Sequence, residues 1–253
     1  EELCLPLLAY AMYSLLLWLR TEAPARMRAR TLIVNGVLCG CVLWIKFTML
    51  GLYGVWILWL FVHHATRKEW KHAFACVGWF VLGLLIATIP WLLYFGVNGA
   101  MVDWLKTYLY DNIFLYTGSD AVGLLGKGKA IVKAALSWLT TNWAYTLPLV
   151  AGLIVLTVRR AVSAAEKWLL WLMLGVSALG VFIGGKTYPY YGLILAAFVW
   201  LIGAWLCPLL DPLLEKRGAA LSAVLVGALA VGSVGLCLAA SENTPDLLKP
   251  RED

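Results

Sequence analysis

Apolar runs alternate with short charged segments along this chain, and that alternation limits what it can fold into. The runs lie at 3–19, 31–45, 48–62, 73–95, 143–158, 168–183, 191–206 and 219–240. A helix needs about 20 apolar residues, and at least about 17, to cross the hydrocarbon of a bilayer. Most of the runs meet or approach that length. Of the 253 residues 62% are apolar and 13% charged, whereas about a quarter of a soluble domain is charged. Mean hydropathy is +0.83. A water-soluble fold of this size cannot bury so much apolar surface. The pattern predicts an all-α, polytopic integral membrane protein with about eight transmembrane helices, short cytoplasmic loops and one larger exterior loop. It excludes soluble enzymes, disordered tails and disulfide scaffolds.

The basic residues orient the chain. Twelve of the 20 Lys and Arg residues, with five of the 14 acids, fall in or beside the segments 20–30, 63–72, 159–167 and 211–217. One face then carries net +7 and the other −1. The positive-inside rule assigns the first face to the cytoplasm. Glu1 and the C-terminus fall on the exterior, and the overall charge of +6 needs no nucleic-acid partner. The expected organisation is a membrane domain over 1–240 and an exterior tail over 241–253. Because the chain starts Glu1-Glu2 and enters an apolar run at once, it reads as the C-terminal part of a longer membrane protein. The six cysteines form no CxxC pair and read as small apolar residues of membrane helices.

The stretch 31–63 is anomalous. As one helix its 33 residues would run roughly 50 Å, against about 30 Å of hydrocarbon. Lys46 lies near its middle, where a bare ammonium costs about 2.5–3.5 kcal/mol. A break at Lys46-Phe47-Thr48 into two short helices meeting at the outer surface removes both problems. The competing arrangement is a single tilted helix with Lys46 in a protein-lined cavity. The exterior loop, 96–142, contains an amphipathic helix over 102–116. Its Trp104, Leu105, Tyr108, Leu109 and Leu115 are expected to face lipid headgroups. The stretch 117–129 reads as a mobile connection, and GLLGKGK within it lacks the phosphate-loop pattern. GGKTYPYY (184–191) reads as a tight exterior turn. His63, His64 and His72 read as a solvated, weakly basic loop rather than a metal site.

The polar groups that the charge rule leaves unexplained all fall on the outer side. They are Glu1, Glu2, Lys46, Asp103, Asp111, Asn112, Lys186 and the tyrosines Tyr188, Tyr190 and Tyr191. Amines can hold a lipid phosphate, and a carboxylate can deprotonate an acceptor hydroxyl. Tyrosines offer a sugar both a ring face and a hydroxyl, although interfacial tyrosines also serve as plain membrane anchors. The candidate assignments are Glu1 and Glu2 as catalytic, and Lys46 and Lys186 as holding a donor phosphate. Asp111, Asn112, Tyr188, Tyr190 and Tyr191 are the candidates to contact sugar or acceptor. No metal site is visible.

Three segments carry a family likeness: EELCLP (1–6), the glycine-bearing run with its interrupting lysine GVLCGCVLWIKFTMLG (36–51), and KTYPYY (186–191). In these the chain resembles the GT-C-fold glycosyltransferases, in the bacterial branch similar to protein O-mannosyltransferases and lipid A aminoarabinose transferases. The resemblance implies transfer of a sugar from a polyprenyl-phosphate donor to a glycan, lipid or protein acceptor on the outer face of the cell membrane. It implies that the principal catalytic acid, in a first exterior loop, lies upstream of Glu1, and that Glu1 and Glu2 match an acidic start of a later helix. Lys46 matches a basic position suited to the donor phosphate. Tyr190 stands where a histidine is common, which leaves Lys186 to supply the charge. No cofactor motif is visible; a divalent metal would have to be held by upstream residues. Two readings stand beside the enzyme: a transporter or flippase of a lipid-linked saccharide or polar solute, and a structural envelope subunit.

Overall fold

The computed structural model describes residues 3–20, 26–115, 123–186 and 188–203, with isolated helical positions between 221 and 235. Glu1, Glu2, residues 21–25 and most of the chain after 203, including most of the last expected span and the whole tail, lie outside the described residues. Helices dominate the described residues and no strand occurs among them. The chain forms two compact units. The first comprises Glu1–Trp138 and Arg160–Ala197, and the second Leu139–Arg159 and Phe198–Asp253.

The first unit contains α1 (Cys4–Arg20), α2 (Ala29–Lys46), α3 (Leu50–Thr66) and α4 (Trp70–Val97). Their relative directions follow from which residues meet. Tyr53 donates to the Leu7 carbonyl at 3.0 Å and Trp56 to that of Ala11 at 2.9 Å, and Trp18 packs on His63. Partner numbers rise together, so α1 and α3 are parallel. Gly36 meets Phe80, Gly40 meets Leu84, and Trp44 donates to Thr88 at 3.0 Å, so α2 and α4 are parallel too. Trp56 stacks on Phe80, and Phe61 packs on Phe74 and Trp70, which makes α3 antiparallel to α4. Gly36 and Trp56 thus both reach Phe80. In a continuous helix they would stand about 30 Å apart. The stretch 29–66 is therefore a helical hairpin, and the single tilted helix is excluded.

The hairpin folds at the expected residues. Lys46 has φ −157° and ψ 88°, which ends α2, and a single 3₁₀ turn, Phe47–Met49, leads into α3. α8 (Ala164–Phe182) lies antiparallel to α3, with Gly180 against the Thr48 carbonyl and Gly51 against Val176. At the far end Arg20 pairs with Glu166 at 2.6 Å, and Glu166 also closes a capping box with Ser163. One end of this bundle holds the Lys46 turn and the end of α8. The other holds Arg20, Arg28, Arg67 and Glu69.

α2 and α4 approach closely because small residues face each other. A Cβ at Gly36 would overlap the Phe80 carbonyl, and one at Gly83 would overlap that of Ile33. Membrane helices, which lack a hydrophobic drive to associate, pack through such small residues and a few interhelical hydrogen bonds. Fully buried Asn35 supplies one of those bonds, donating to Ser14 at 3.2 Å. On its other faces α4 exposes Trp79, Leu82, Leu85, Ile86, Ile89 and Leu93. A helix that is apolar both inward and outward needs lipid around it.

By length and composition three helical segments qualify to cross a membrane, Ala29–Thr66, Trp70–Val97 and Ala164–Phe182, the first of them folded at Lys46 into arms of 18 and 17 residues. A fourth results if Leu125–Thr141 and Trp143–Val158 count as one broken span. α1 is apolar but only 17 residues long. Three other expectations are modified. Residues 101–115 are helical, first α5 (Met101–Leu105) and then a rare π-helical stretch (Lys106–Leu115). Trp104 and Tyr108, however, face protein: Trp104 stacks on Phe95 at 4.6 Å, and both rings lie against Trp44. Residues 123–129, read as a connection, begin α6 (Gly123–Thr141), while 116–122 lie outside the described residues. His64 is buried rather than solvated, with its Nδ1–H donating to Glu69 at 2.7 Å.

In the second unit α7 (Trp143–Val158) has the expected bounds and buries Leu149, Leu153 and Leu156. Gly152 lies against Ile202 of α9 (Ala196–Gly203). The expected span at 191–206 begins within the first unit, as a 3₁₀ segment, Pro189–Leu195.

Candidate functional site

The break at Lys46 puts its side chain at the head of the hairpin instead of along a helix. The close contact of Gly180 with Thr48 brings the end of α8 beside it. Past Phe182 the chain turns through Gly185, at φ +63°, a conformation that strongly favours glycine. The turn carries Lys186 back toward Lys46. From the third side the π-helical stretch presents Tyr108 and Asn112, one widened turn apart. Such π-helical insertions often occur at functional positions.

These elements enclose a cavity of about 300 Å³. Lys46, Thr48, Tyr108, Asn112, Lys186 and Tyr191 supply its polar wall. Ile45 and Ile183, also on the wall, are exposed and form an apolar rim. The Lys46 ammonium sits 4.3 Å from the Tyr191 ring centroid, a cation–π contact that steers the amine. Tyr108 donates to the Leu43 carbonyl, and burial pushes its phenol above the ordinary value. Asn112 donates to the carbonyls of Thr107 and Tyr108 at 3.2 and 2.9 Å, leaving its side-chain oxygen as an acceptor. The Thr48 hydroxyl is buried without a hydrogen-bond partner among the described residues. Two ammoniums and a spare hydroxyl beside an apolar mouth suit an anion attached to a greasy tail.

Of the residues expected at a site, Lys46, Lys186, Asn112 and Tyr191 meet at this cavity. Tyr188 is exposed and packs edge-on against Tyr191 at 5.2 Å. Asp111 is half-buried and does not line the cavity; its Oδ1 has no partner among the described residues. Glu1, Glu2 and the Tyr190 side chain lie outside the described residues. No carboxylate is among the lining residues, and no cluster of three metal-binding side chains occurs among the described residues. Tyr108 and Thr48 were not among the expected site residues. A helical wheel turned Tyr108 toward lipid because it assumed 3.6 residues per turn, whereas the π-helical stretch rotates each successive side chain less. Compared with known proteins, the chain matches no family model, no curated protein and no solved structure.

Proposed function

We propose that the protein is a membrane glycosyltransferase that takes a sugar from a polyprenyl-phosphate donor and attaches it to an acceptor on the outer face of the membrane. The observation that carries this reading is the shared cavity of Lys46 and Lys186, two lysines 140 positions apart in sequence. The ammoniums hold the donor phosphate, the exposed Ile45 and Ile183 meet the first isoprene units, and Asn112 and Tyr191 contact the sugar. The acceptor oxygen attacks the anomeric carbon, the bond to the phosphate oxygen breaks, and the phosphate leaves with the electron pair. Lysines beside it stabilise the charge that develops there. The acceptor's proton passes to a carboxylate, for which Glu1 and Glu2 are the candidates in this chain and an upstream acid is the family expectation. The same proposal includes eight crossings, with both ends of the chain exterior.

Binding and transfer are tested separately in proteoliposomes. Lys46→Ala and Lys186→Ala are each expected to weaken retention of a polyprenyl monophosphate about tenfold, the loss of one charge-assisted contact. Transfer of radiolabelled sugar from the corresponding polyprenyl-phosphate sugar is expected to fall in step. Full retention and transfer in both variants overturns the reading. Movement of a fluorescent lipid-linked saccharide between leaflets, with no sugar transfer, identifies a flippase instead.

A further inference from the structure

A second hollow lies at the opposite end of the first unit, between α1 and the start of α2. Its volume is about 420 Å³, and its walls include Tyr10, Tyr13, Leu17, Trp18, Arg26 and Arg28. Tyr10, Tyr13 and Leu17 are exposed on a helix that is apolar almost throughout, so the groove opens toward lipid. Arg26 and Arg28, both exposed, stand at one end of it. Their electrostatic setting is unusual. A helix N-terminus carries partial positive charge and ordinarily attracts acids. α2 starts with Arg28 as its N-cap residue, has no side-chain cap and no acid in its first turn, and follows Arg28 with Arg30. Neither Arg26 nor Arg28 has an ion-pair partner among the described residues. Among the described residues Glu69 senses the charge of Arg26, and its carboxylate is hydrogen-bonded to His64.

We infer that this groove holds an anionic phospholipid from the leaflet next to the basic face. Its phosphate sits between Arg26 and Arg28 over the uncapped first turn of α2, and its acyl chain lies along Tyr13 and Leu17. The charge complementarity, the aromatic wall and the lipid-facing opening all favour this occupant. Basic pockets between membrane helices hold anionic headgroups in this way, and helix N-termini bind phosphates through free N–H groups. The site is independent of the cavity at Lys46 and stands whether or not sugar transfer does.

Native mass spectrometry of the detergent-purified chain tests it, with phosphatidylglycerol and phosphatidylcholine as probes. Phosphatidylglycerol is expected to remain bound at least tenfold more strongly than phosphatidylcholine, and Arg26→Gln with Arg28→Gln to abolish that preference. A saturable rise in the wild-type melting temperature with phosphatidylglycerol alone, not reversed by inorganic phosphate, gives a readout that requires no variant. Equal binding of the two lipids, an undiminished preference in the double variant, or displacement by inorganic phosphate overturns the inference.

Discussion

Lys46 shows how one side chain can decide the path of a membrane chain. An ammonium in mid-hydrocarbon is costly enough that the backbone stops its helix there, and the same stop delivers the amine to a cavity wall. Replacing the side chain removes the charge, while the turn is held by its neighbours Thr48 and Gly180. Glu69 is a second residue with a consequence of its own. The hydrogen bond from His64 holds its carboxyl below the ordinary 4.5. A carboxyl with a depressed folded-state pKa stabilises the fold above its unfolded value, and that contribution disappears as the pH falls through the folded value. Glu69→Gln is therefore expected to lower the melting temperature at pH 7. The gap from the wild type should narrow only as the pH falls below 4.5, through the depressed folded value. Fluorimetric melting curves across pH check this; a gap independent of pH contradicts it.

Among the elements, the α2–α4 pair is the most exacting contact. Gly36 and Gly83 each sit against a backbone carbonyl of the facing helix, so neither neighbour can move aside as a flexible side chain would. Gly36→Ala or Gly83→Ala is expected to cost about 1–3 kcal/mol, the usual range for overpacking. Unfolding followed in detergent measures it. Gly78→Ala on the same α4 helix, where an added Cβ meets open space, should be close to neutral. The glycines of 36–51 were visible in the sequence as a run, but their facing partners were not. Likewise the helix over 101–115 was legible from its aromatics, whereas its orientation was not. Trp104, in α5, and Tyr108, in the π-helical stretch, both pack onto Trp44 instead of onto lipid.

On the scale of the whole molecule, Arg20, Arg28 and Arg67 stand at one end of the first unit and the Lys46 cavity at the other. Single cysteines introduced as Tyr188→Cys and Arg67→Cys are expected to react with a membrane-impermeant maleimide from opposite sides of sealed vesicles. Tyr188→Cys should be reached from outside, and Arg67→Cys only after permeabilisation. Labelling from one side alone overturns the topology. By itself the sequence determined that the chain is helical and built of apolar, membrane-length segments, and it favoured a break of the run 31–63 at Lys46 over the single helix that the helix contacts then excluded. Those properties follow from apolar length and the cost of a buried charge, both of which are local. The meeting of Lys46 with Lys186, Asn112 and Tyr108, and the bonding of His64 to Glu69, were decided by tertiary structure. They depend on which helix faces pack and on how Gly180 and Gly185 bring distant segments together, and a single chain's residue pattern does not encode such distances locally.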